Sequence, residues 1–426
     1  TGDAYACDYG DYYNVHGLSY GVGGSSYMYG SWDHCGYHYN TMGGVIKDLP
    51  TSAGAHWGPG HEIGHQHQGP LNMRGLTEVT NNLFSNVVLW YYGESTSRYN
   101  GSEGSLSHVL SAFNTEGSDF FTNNIWAQTH MYYKLFLYYH VLGNNPKFYP
   151  RLFEMLRQDP MTIEYEQSGV SSLLHFYKKC CLASGNDLTE FFRAHGFFRV
   201  MKNRFVGDYS NANYNMTQAE IDAAIAEVKA LNYPQNLSVL FVNDGTGETI
   251  KSHKGDNLDF YGESTKCAEV GSYASFAGNA APEYTYTMSA FTLALTGKGG
   301  VGFAVVDAKG ELLAFSDMKT FTVSAQCAQL LASGQAKVMA VCADGTLTAA
   351  KDYMDTASLA EQYAKLGEML KQADALIAMI DETRKTYPGY FLPEGMTDFM
   401  KAYENAKKAY DNKDGESYSA VFDLLN

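Results

Sequence analysis

The stretch from Gly58 to Asn82 limits the possible folds of this 426-residue chain more than any other. It reads G-P-G-H-E-I-G-H-Q-H-Q-G-P and, three residues later, R-G-L-T-E-V-T-N-N. The first part places His61 and His65 four residues apart, with Glu62 directly after the first histidine. On a helix, side chains four residues apart share a face, with their Cβ atoms roughly 5–6 Å apart. If this stretch is helical, both imidazoles can turn toward one metal ion.

Glycine and proline mark both ends of the predicted helix. Gly58 and Pro59 suit its start, because proline tolerates the first helical position. Gly69 followed by Pro70 is a natural stop. Gly64 lies inside the helix and costs about 1 kcal/mol relative to alanine. A close approach by a second helix or by a substrate backbone would explain this glycine.

A second helix is predicted to follow, from Thr77 to about Gly93. Thr77 is a good N-cap residue, and Glu78 lies in the first turn, thirteen residues after the second histidine. Two histidines, one carboxylate and an open fourth position are typical of a catalytic zinc site. Asn82, one turn beyond Glu78, could form a hydrogen bond to a liganding imidazole and fix its tautomer.

Glu62 is the candidate general base. It lies about a third of a turn from His61, so it can reach a metal-bound water without binding the metal itself. The alternative is an ordinary helix with two surface histidines, because H-E-x-x-H also arises by chance. The flanking helix signals and the carboxylate early in the next helix favour the metal site.

Composition and charge exclude several classes of protein. The formal net charge is −16 and the pI is near 5.2, which argues against nucleic acid or an anionic membrane as the main partner. No apolar run reaches the 18 residues that would predict a transmembrane segment. The chain begins with Thr1 and has no signal-like apolar stretch, so we expect it to be a piece of a longer protein.

Seven cysteines leave their pairing open. The absence of a C-x-x-C pair argues against a thiolate zinc site. In an oxidising compartment, Cys7 could pair with Cys35, and Cys327 could pair with Cys342. Free buried thiols are the default expectation.

The predicted fold class is α+β, with three regions. Residues 1–234 predict a mainly helical, zincin-like catalytic domain that begins with Gly- and Tyr-rich strands and could lack an upstream portion. Residues 235–352 predict an all-β, sandwich-like domain, with a first strand at Leu237–Asn243. Gly297–Gly302 resembles a phosphate loop but lacks its G-K-S/T ending, so we interpret it as a hairpin turn. Residues 353–426 predict a C-terminal helical hairpin or bundle.

One predicted helix of the catalytic domain carries further candidates. It runs from Trp126 to Leu142, where aromatic and apolar residues recur every three to four positions. His130, Tyr132 or Tyr133 could supply a donor that stabilises the oxyanion of the transition state. The alternative is that this aromatic stripe belongs to the core.

Four segments carry a resemblance to a known family, and one of them is the predicted helix at Trp126–Gly143. G-P-G-H-E-I-G-H-Q-H-Q, G-L-T-E-V-T-N-N-L-F-S and, at 187–197, D-L-T-E-F-F-R-A-H-G-F resemble the enhancin-like zinc metallopeptidases. The pattern of that family is H-E-x-x-H followed, after a variable gap, by a glutamate. The resemblance therefore implies that His61, His65 and Glu78 bind one zinc ion and that Glu62 acts as the general base.

The resemblance also implies a function. The chain would be a secreted or surface-attached zinc endopeptidase that cleaves O-glycosylated, mucin-like proteins, host mucins among them. One alternative is a general thermolysin-like peptidase that is indifferent to sugars. Another is a glycan-binding adhesin with an inactive zincin fold. No nucleic-acid partner is expected.

Overall fold

The structure is a computed structural model that describes most of the chain. The described residues are 28–30, 35–37, 53–91, 109, 112–161, 170–208, 211–242, 276, 281–289, 291–380 and 396–425.

The first half of the described chain is mainly helical. Its helices are α1 (Ala53–His67), α2 (Thr77–Thr80), α3 (Asn82–Tyr91), α4 (Ile125–Phe136), α5 (Phe148–Gln158), α6 (Val170–Ser184), α7 (Thr189–Ala194) and α8 (Gln218–Lys229). Two antiparallel hairpins accompany them, β1 (Met28–Gly30) with β2 (Cys35–Tyr37) and β3 (Met201–Val206) with β4 (Ala212–Met216). The mixture of helix and sheet agrees with the α+β prediction at this coarse level.

The ends of the first two helices differ from the prediction. α1 begins at Ala53 and contains Pro59 in its interior, so the start predicted at Gly58 and Pro59 is wrong. Proline removes one backbone donor from the helix, and Pro59 is buried at this position. Thr77 is also not the N-cap, because Leu76 occupies that position and makes no side-chain cap.

Helix α1 and the α2–α3 segment touch backbone to backbone. A Cβ atom added to Gly64 would lie 2.5 Å from the carbonyl oxygen of Asn81, and one added to Gly60 would lie 3.1 Å from the Cα of Ser85. Only glycine permits so close an approach. The explanation of Gly64 by a neighbouring helix is therefore confirmed.

The second half of the described chain contains two four-stranded sheets. One has the order β12-β5-β6-β9 and the other β11-β10-β7-β8. The strands are β5 (Glu283–Ser289), β6 (Thr292–Lys298), β7 (Gly302–Asp307), β8 (Leu312–Ser316), β9 (Thr320–Thr322), β10 (Ala336–Val341), β11 (Leu347–Ala349) and β12 (Lys351–Asp352). Helix α9 (Ala325–Ala332) lies among them, so the all-β expectation for residues 235–352 is not confirmed.

Two segments predicted in this region are wrong in detail. The strand expected at Leu237–Asn243 is instead a 3-10 helix over Ser238–Phe241. The buried Lys134 ammonium donates to the carbonyl oxygens of Leu240 at 2.6 Å and Val242 at 2.8 Å, so these carbonyls are not available to a strand ladder. Gly297–Gly302 is not a hairpin turn, because it joins β6 to β7 in the other sheet.

The sheet β11-β10-β7-β8 is buried on both faces. Six of its flanking and strand residues share the main core with the helices of the first half: Val301, Ala304, Val306, Leu312, Phe315 and Val341. Alternate residues such as Phe303 and Val305 face a second core with the other sheet. On its edge, the Leu312 amide donates to the buried Glu190 carboxylate of α7 at 2.8 Å. The helical and sheet regions are thus joined through a continuous core.

The C-terminal helices have a core of their own. They are α10 (Tyr353–Thr356), α11 (Leu359–Ile377), α12 (Thr397–Asp411) and α13 (Tyr418–Leu425). Met354, Leu366 and Phe422 are among its buried residues. The division into domains at residues 1–234, 235–352 and 353–426 stays a prediction. Among the described helices, none combines the length and apolarity needed to cross a membrane.

The cysteines of the described chain are free thiols. Cys35, Cys327 and Cys342 are free, so the disulfide considered between Cys327 and Cys342 is wrong. The pairing considered between Cys7 and Cys35 lies outside the described residues, because Cys7 does. Cys327 is buried in α9, whereas the Cys342 sulfur lies 3.6 Å from Thr348 Oγ1 on β11.

The contact at Gly64 generates a first prediction. We expect Gly64→Ala to lower the free energy of unfolding by about 2 kcal/mol. A 2.5 Å contact with backbone places the cost near the upper end of the roughly 1–3 kcal/mol typical of overpacking, and the gain in helix propensity returns about 1. The matched control is Gly69→Ala, since a Cβ atom at Gly69 meets no atom within 4 Å. Urea denaturation measures both. Equal stability of Gly64→Ala and wild type would contradict the contact.

The buried His195 generates a second prediction, on acid stability. Burial lowers the pKa of this imidazole from 6.5 to about 3, so between these values the unfolded chain binds a proton that the folded chain does not. The contribution of His195 to stability is complete above about pH 6.5 and is lost progressively as the pH falls. At about pH 4.5 the loss amounts to about 2–3 kcal/mol.

The variant His195→Gln separates this effect from other acid effects. It removes the ionisable ring and keeps an N–H donor for the Phe191 carbonyl oxygen, which lies 2.8 Å from His195 Nδ1. Urea denaturation measures the free energy of unfolding at about pH 7.5 and 4.5. We expect the difference between the two pH values to be smaller in the variant than in the wild type, by about 2–3 kcal/mol. The same difference in both proteins would rule out His195 as the cause.

Candidate metal centre

Three side chains converge as the sequence predicts. His61 Nε2 lies 3.1 Å from one carboxylate oxygen of Glu78, and His65 Nε2 lies 3.5 Å from the other. One ligand atom from each residue lies within 4.8 Å of the others. Ligand distances of about 2.0–2.2 Å around tetrahedral zinc place neighbouring ligand atoms roughly 3.3 Å apart. Both measured separations therefore fit one metal ion.

The β1–β2 hairpin packs directly on α1, the helix that carries His61 and His65. A Cβ atom added to Gly30 would lie 2.6 Å from the Glu62 carbonyl oxygen and 3.0 Å from the Cβ of His65. Gly30 pairs with Cys35 in the hairpin, and burial together with the negative charge of Glu62 raises the pKa of Cys35 to about 12. A short strand therefore borders the site between its general-base candidate and its second histidine.

The helix that carries Glu78 is held by a residue that sequence reasoning missed. Asp208, in the loop after β3, accepts hydrogen bonds from the backbone N–H of Thr77 and, at 3.3 Å, from that of Glu78. A carboxylate at a helix N-terminus satisfies free N–H groups and interacts favourably with the helix dipole. Asp208 thus fixes the start of α2 and with it the backbone of the third ligand.

Asn82 makes the contact predicted for it. Its Oδ1 lies 2.7 Å from His61 Nδ1, and its Nδ2 donates to the Glu78 carbonyl oxygen at 2.6 Å. Because the carboxamide nitrogen donates to a carbonyl, the oxygen faces His61 and accepts from Nδ1–H. This leaves the lone pair of His61 on Nε2, which faces Glu78 and the metal position.

Asn81 is a second site residue that the sequence did not reveal. Its Nδ2 lies 2.9 Å from His65 Nε2 and 3.0 Å from His61 Nε2. Its side chain also forms a hydrogen bond to Glu78, which lowers the pKa of that carboxyl group. The only indication in the sequence was the glycine at position 64, because the backbone of Asn81 packs against it.

Glu62, the candidate general base, is buried next to the three clustered residues. Its side chain is buried, and burial raises its pKa to about 7, with His61 opposing and Glu78 adding to the rise. A carboxyl group with a pKa near the working pH accepts and returns a proton with little loss in either direction. Glu62 lies next to His61 in the chain and is not one of the three clustered ligands.

The three ligands shift the pKa values of one another. Burial by itself lowers the pKa of His61, but hydrogen bonds to Glu78 and Asn82 raise it above its ordinary value. Burial lowers the pKa of His65. Burial opposes ionisation of Glu78, yet the hydrogen bond from His61 holds its pKa below the ordinary value. Near neutral pH, Glu78 is thus ionised and His65 is neutral, the forms that bind metals.

The three candidate oxyanion donors lie on α4. His130 is 2% exposed, and Tyr132 and Tyr133 are fully buried in the main core. The Tyr132 ring packs 5.3 Å from that of Phe176. This burial favours the interpretation as core residues, and a role in stabilising an oxyanion stays a prediction.

Several known proteins are similar to this chain. A family model described as peptidase M60, enhancin and enhancin-like, matches residues 17–196. Two solved structures are similar to the chain, each with 27% sequence identity, a TM-score of 0.64 and coverage of 76% of this chain. One is a metallopeptidase in complex with Tn antigen, and the other is a metallopeptidase from Bacteroides thetaiotaomicron. No curated protein sequence matches the chain.

The match is partial in both directions. The chain covers 60% of the first of these structures and 54% of the second, so it spans little more than half of their length. The region matched by the family model nevertheless contains all three clustered ligands and Glu62. Residues 17–196 therefore match the peptidase M60 family of enhancin and enhancin-like proteins, and the candidate site lies inside the matched region.

Proposed function

We propose that this protein is a zinc-dependent endopeptidase that cleaves O-glycosylated, mucin-like proteins outside the cell or at its surface. The observation that carries the proposal is the cluster of His61, His65 and Glu78, whose ligand atoms lie within 4.8 Å of one another. Glu62 beside the cluster supplies a base, and the match of residues 17–196 to the M60 family model supports peptide hydrolysis as the reaction class.

The choice of zinc follows from the donor set. Two imidazoles and one carboxylate leave a fourth position open, as in catalytic zinc sites. Imidazole ligands favour zinc over magnesium and calcium, which prefer sites made only of oxygen atoms. A zinc ion held by these three residues supplies Lewis acidity, polarising the scissile carbonyl group and making a nearby water molecule more acidic.

Residues of the chain transfer the proton and hold the metal-binding side chains in position. The Glu62 carboxylate accepts a proton from the attacking water and delivers it to the nitrogen of the leaving amine, so one group acts as base and then as acid. Asn82 holds His61 with its Nε2 lone pair toward the metal position. Asp208 holds the turn of helix from which Glu78 extends.

The proposed substrate class has a different basis. The similar metallopeptidase structure that contains Tn antigen supports an O-glycosylated substrate for this chain. A peptidase indifferent to sugars and a glycan-binding adhesin are the alternatives that experiments must exclude.

The role of Glu62 is tested with Glu62→Gln. We expect the rate of peptide cleavage to fall by roughly 10²–10⁴, the usual contribution of a general base, while zinc content and glycopeptide binding remain. Cleavage is followed by mass spectrometry and zinc by elemental analysis. Glu368→Gln is the matched control, because Glu368 is exposed and pairs only with Lys365 among the described groups. Cleavage by Glu62→Gln within a few-fold of wild type would remove Glu62 from this role.

The substrate class is tested with one peptide in two forms. We expect the wild-type protein to cut a peptide that carries Tn antigen on one threonine and to leave the same peptide intact without the sugar. Mass spectrometry of the products identifies the bond that is cut. Equal cleavage of both forms would support the sugar-indifferent peptidase. Binding of the glycopeptide without cleavage, equal in wild type and Glu62→Gln, would support the adhesin.

A further inference from the structure

Gln68 lies one turn after His65 and contacts the imidazole on the side away from the metal position. Its Nε2 is 2.9 Å from His65 Nδ1, and its Oε1 is 2.5 Å from Thr80 Oγ1. The hydroxyl of Thr80 lies 3.2 Å from the carbonyl oxygen of Leu76. Gln68 is 3% exposed and Thr80 is fully buried. Buried polar groups of this kind need complete hydrogen bonding.

The two ring nitrogens of His65 decide how these groups are oriented. Amide nitrogens lie 2.9 Å from both, Asn81 Nδ2 at His65 Nε2 and Gln68 Nε2 at His65 Nδ1. A neutral imidazole has one donor and one acceptor nitrogen, so it cannot accept from both amides. One of the two carboxamides must present its oxygen instead, and oxygen and nitrogen of a carboxamide exchange by a simple flip.

The position of Glu78 settles which carboxamide is turned. His65 Nε2 lies 3.5 Å from a Glu78 carboxylate oxygen, so it is the ring nitrogen on the metal side and must be unprotonated to bind the ion. Asn81 Nδ2, 2.9 Å away, can donate to that lone pair, so the Asn81 carboxamide keeps its orientation. It follows that His65 Nδ1 carries the proton and that Gln68 presents its oxygen to it.

Thr80 completes the hydrogen bonds of His65 and Gln68. With Gln68 so turned, His65 Nδ1–H donates to the Gln68 oxygen and the Gln68 amide donates to Thr80 Oγ1. The Thr80 hydroxyl then donates to the Leu76 carbonyl oxygen, which it already reaches. The relay ends on a backbone group of the residue that precedes α2.

We propose that Gln68 and Thr80 are positioning residues that hold His65 in the tautomer and orientation needed to bind the metal through Nε2. They do for His65 what Asn82 does for His61. This inference rests on the zinc site of the proposed function. Groups that orient metal-binding histidines are typically worth roughly 10–100-fold in metal affinity.

The test measures zinc affinity of the full chain by competition with a chromogenic chelator. We expect Gln68→Met to weaken zinc binding roughly 10–100-fold, and Thr80→Val to weaken it less. The double variant should bind no more weakly than Gln68→Met, because the two residues act in series. Gln68→Glu, which keeps an acceptor for His65 Nδ1, should restore affinity, and Thr80→Ser should retain it.

The matched control is Gln128→Met. Gln128 is also a buried glutamine, and it donates to the backbone oxygens of Phe120 and Asn123. We expect Gln128→Met to lower the stability of the fold and to leave zinc affinity unchanged. Visible spectra of the cobalt-substituted proteins provide a second readout, and we expect the absorption bands to change in Gln68→Met and not in Gln128→Met.

The outcomes separate the relay from the metal site itself. If Gln68→Met binds zinc as tightly as Gln128→Met and gives the same cobalt spectrum, the relay is overturned and the proposed function stands. If the wild-type protein has no measurable zinc affinity, both are overturned. Weakened binding that Gln68→Glu fails to restore would assign the effect to packing and overturn the relay.

Discussion

The backbone contact between Gly64 and Asn81 is the constraint on which the rest of the site depends. The two histidines lie on α1, and Glu78 lies on α2, so their separation is set by how closely these segments approach. A Cβ atom added to Gly64 would lie 2.5 Å from the Asn81 carbonyl oxygen. The two segments therefore leave no room for a side chain at position 64. Coordination of one ion requires ligand atoms roughly 3.3 Å apart, and a side chain at position 64 would hold the two segments apart.

Around this contact, amide and carboxylate groups hold each ligand in a defined orientation. Asn82 contacts His61, Gln68 contacts His65, and Asp208 binds the backbone of Glu78. Most of these groups are buried, and a buried polar group left without a partner costs free energy. The network is therefore stable as a complete set, and the geometry of the site is part of the stability of the fold.

The local part of the site could be predicted from the sequence. Helical periodicity alone places His61 and His65 on one face, and the single turn between Glu78 and Asn82 is equally local. The contribution of Asp208 could not be predicted, since it lies 130 residues from Glu78 and reaches it through tertiary packing. Gln68 was overlooked for a different reason, because a glutamine at the end of a helix is usually a surface residue.

Longer-range packing also explains the misassigned segment at Leu237–Asn243. Its apolar sequence suits a strand, but the buried Lys134 ammonium binds two of its carbonyl oxygens and selects a helical turn. Local patterns carry no information about a lysine more than a hundred residues earlier in the chain. For Asp208 and for this segment, the deciding contacts therefore come from residues far away in the chain.

One sheet is apolar on both faces, and this limits where the chain can be cut into fragments that fold on their own. Val301, Ala304 and Phe315 share one core with the helices around the metal centre, and Glu190 forms a hydrogen bond to the edge of that sheet. A fragment cut after α8 would present this apolar surface to water and leave a buried carboxylate without its amide partner. The β region is in this sense an integral part of the same folding unit as the helices, unlike a module that can be exchanged among proteins by recombination.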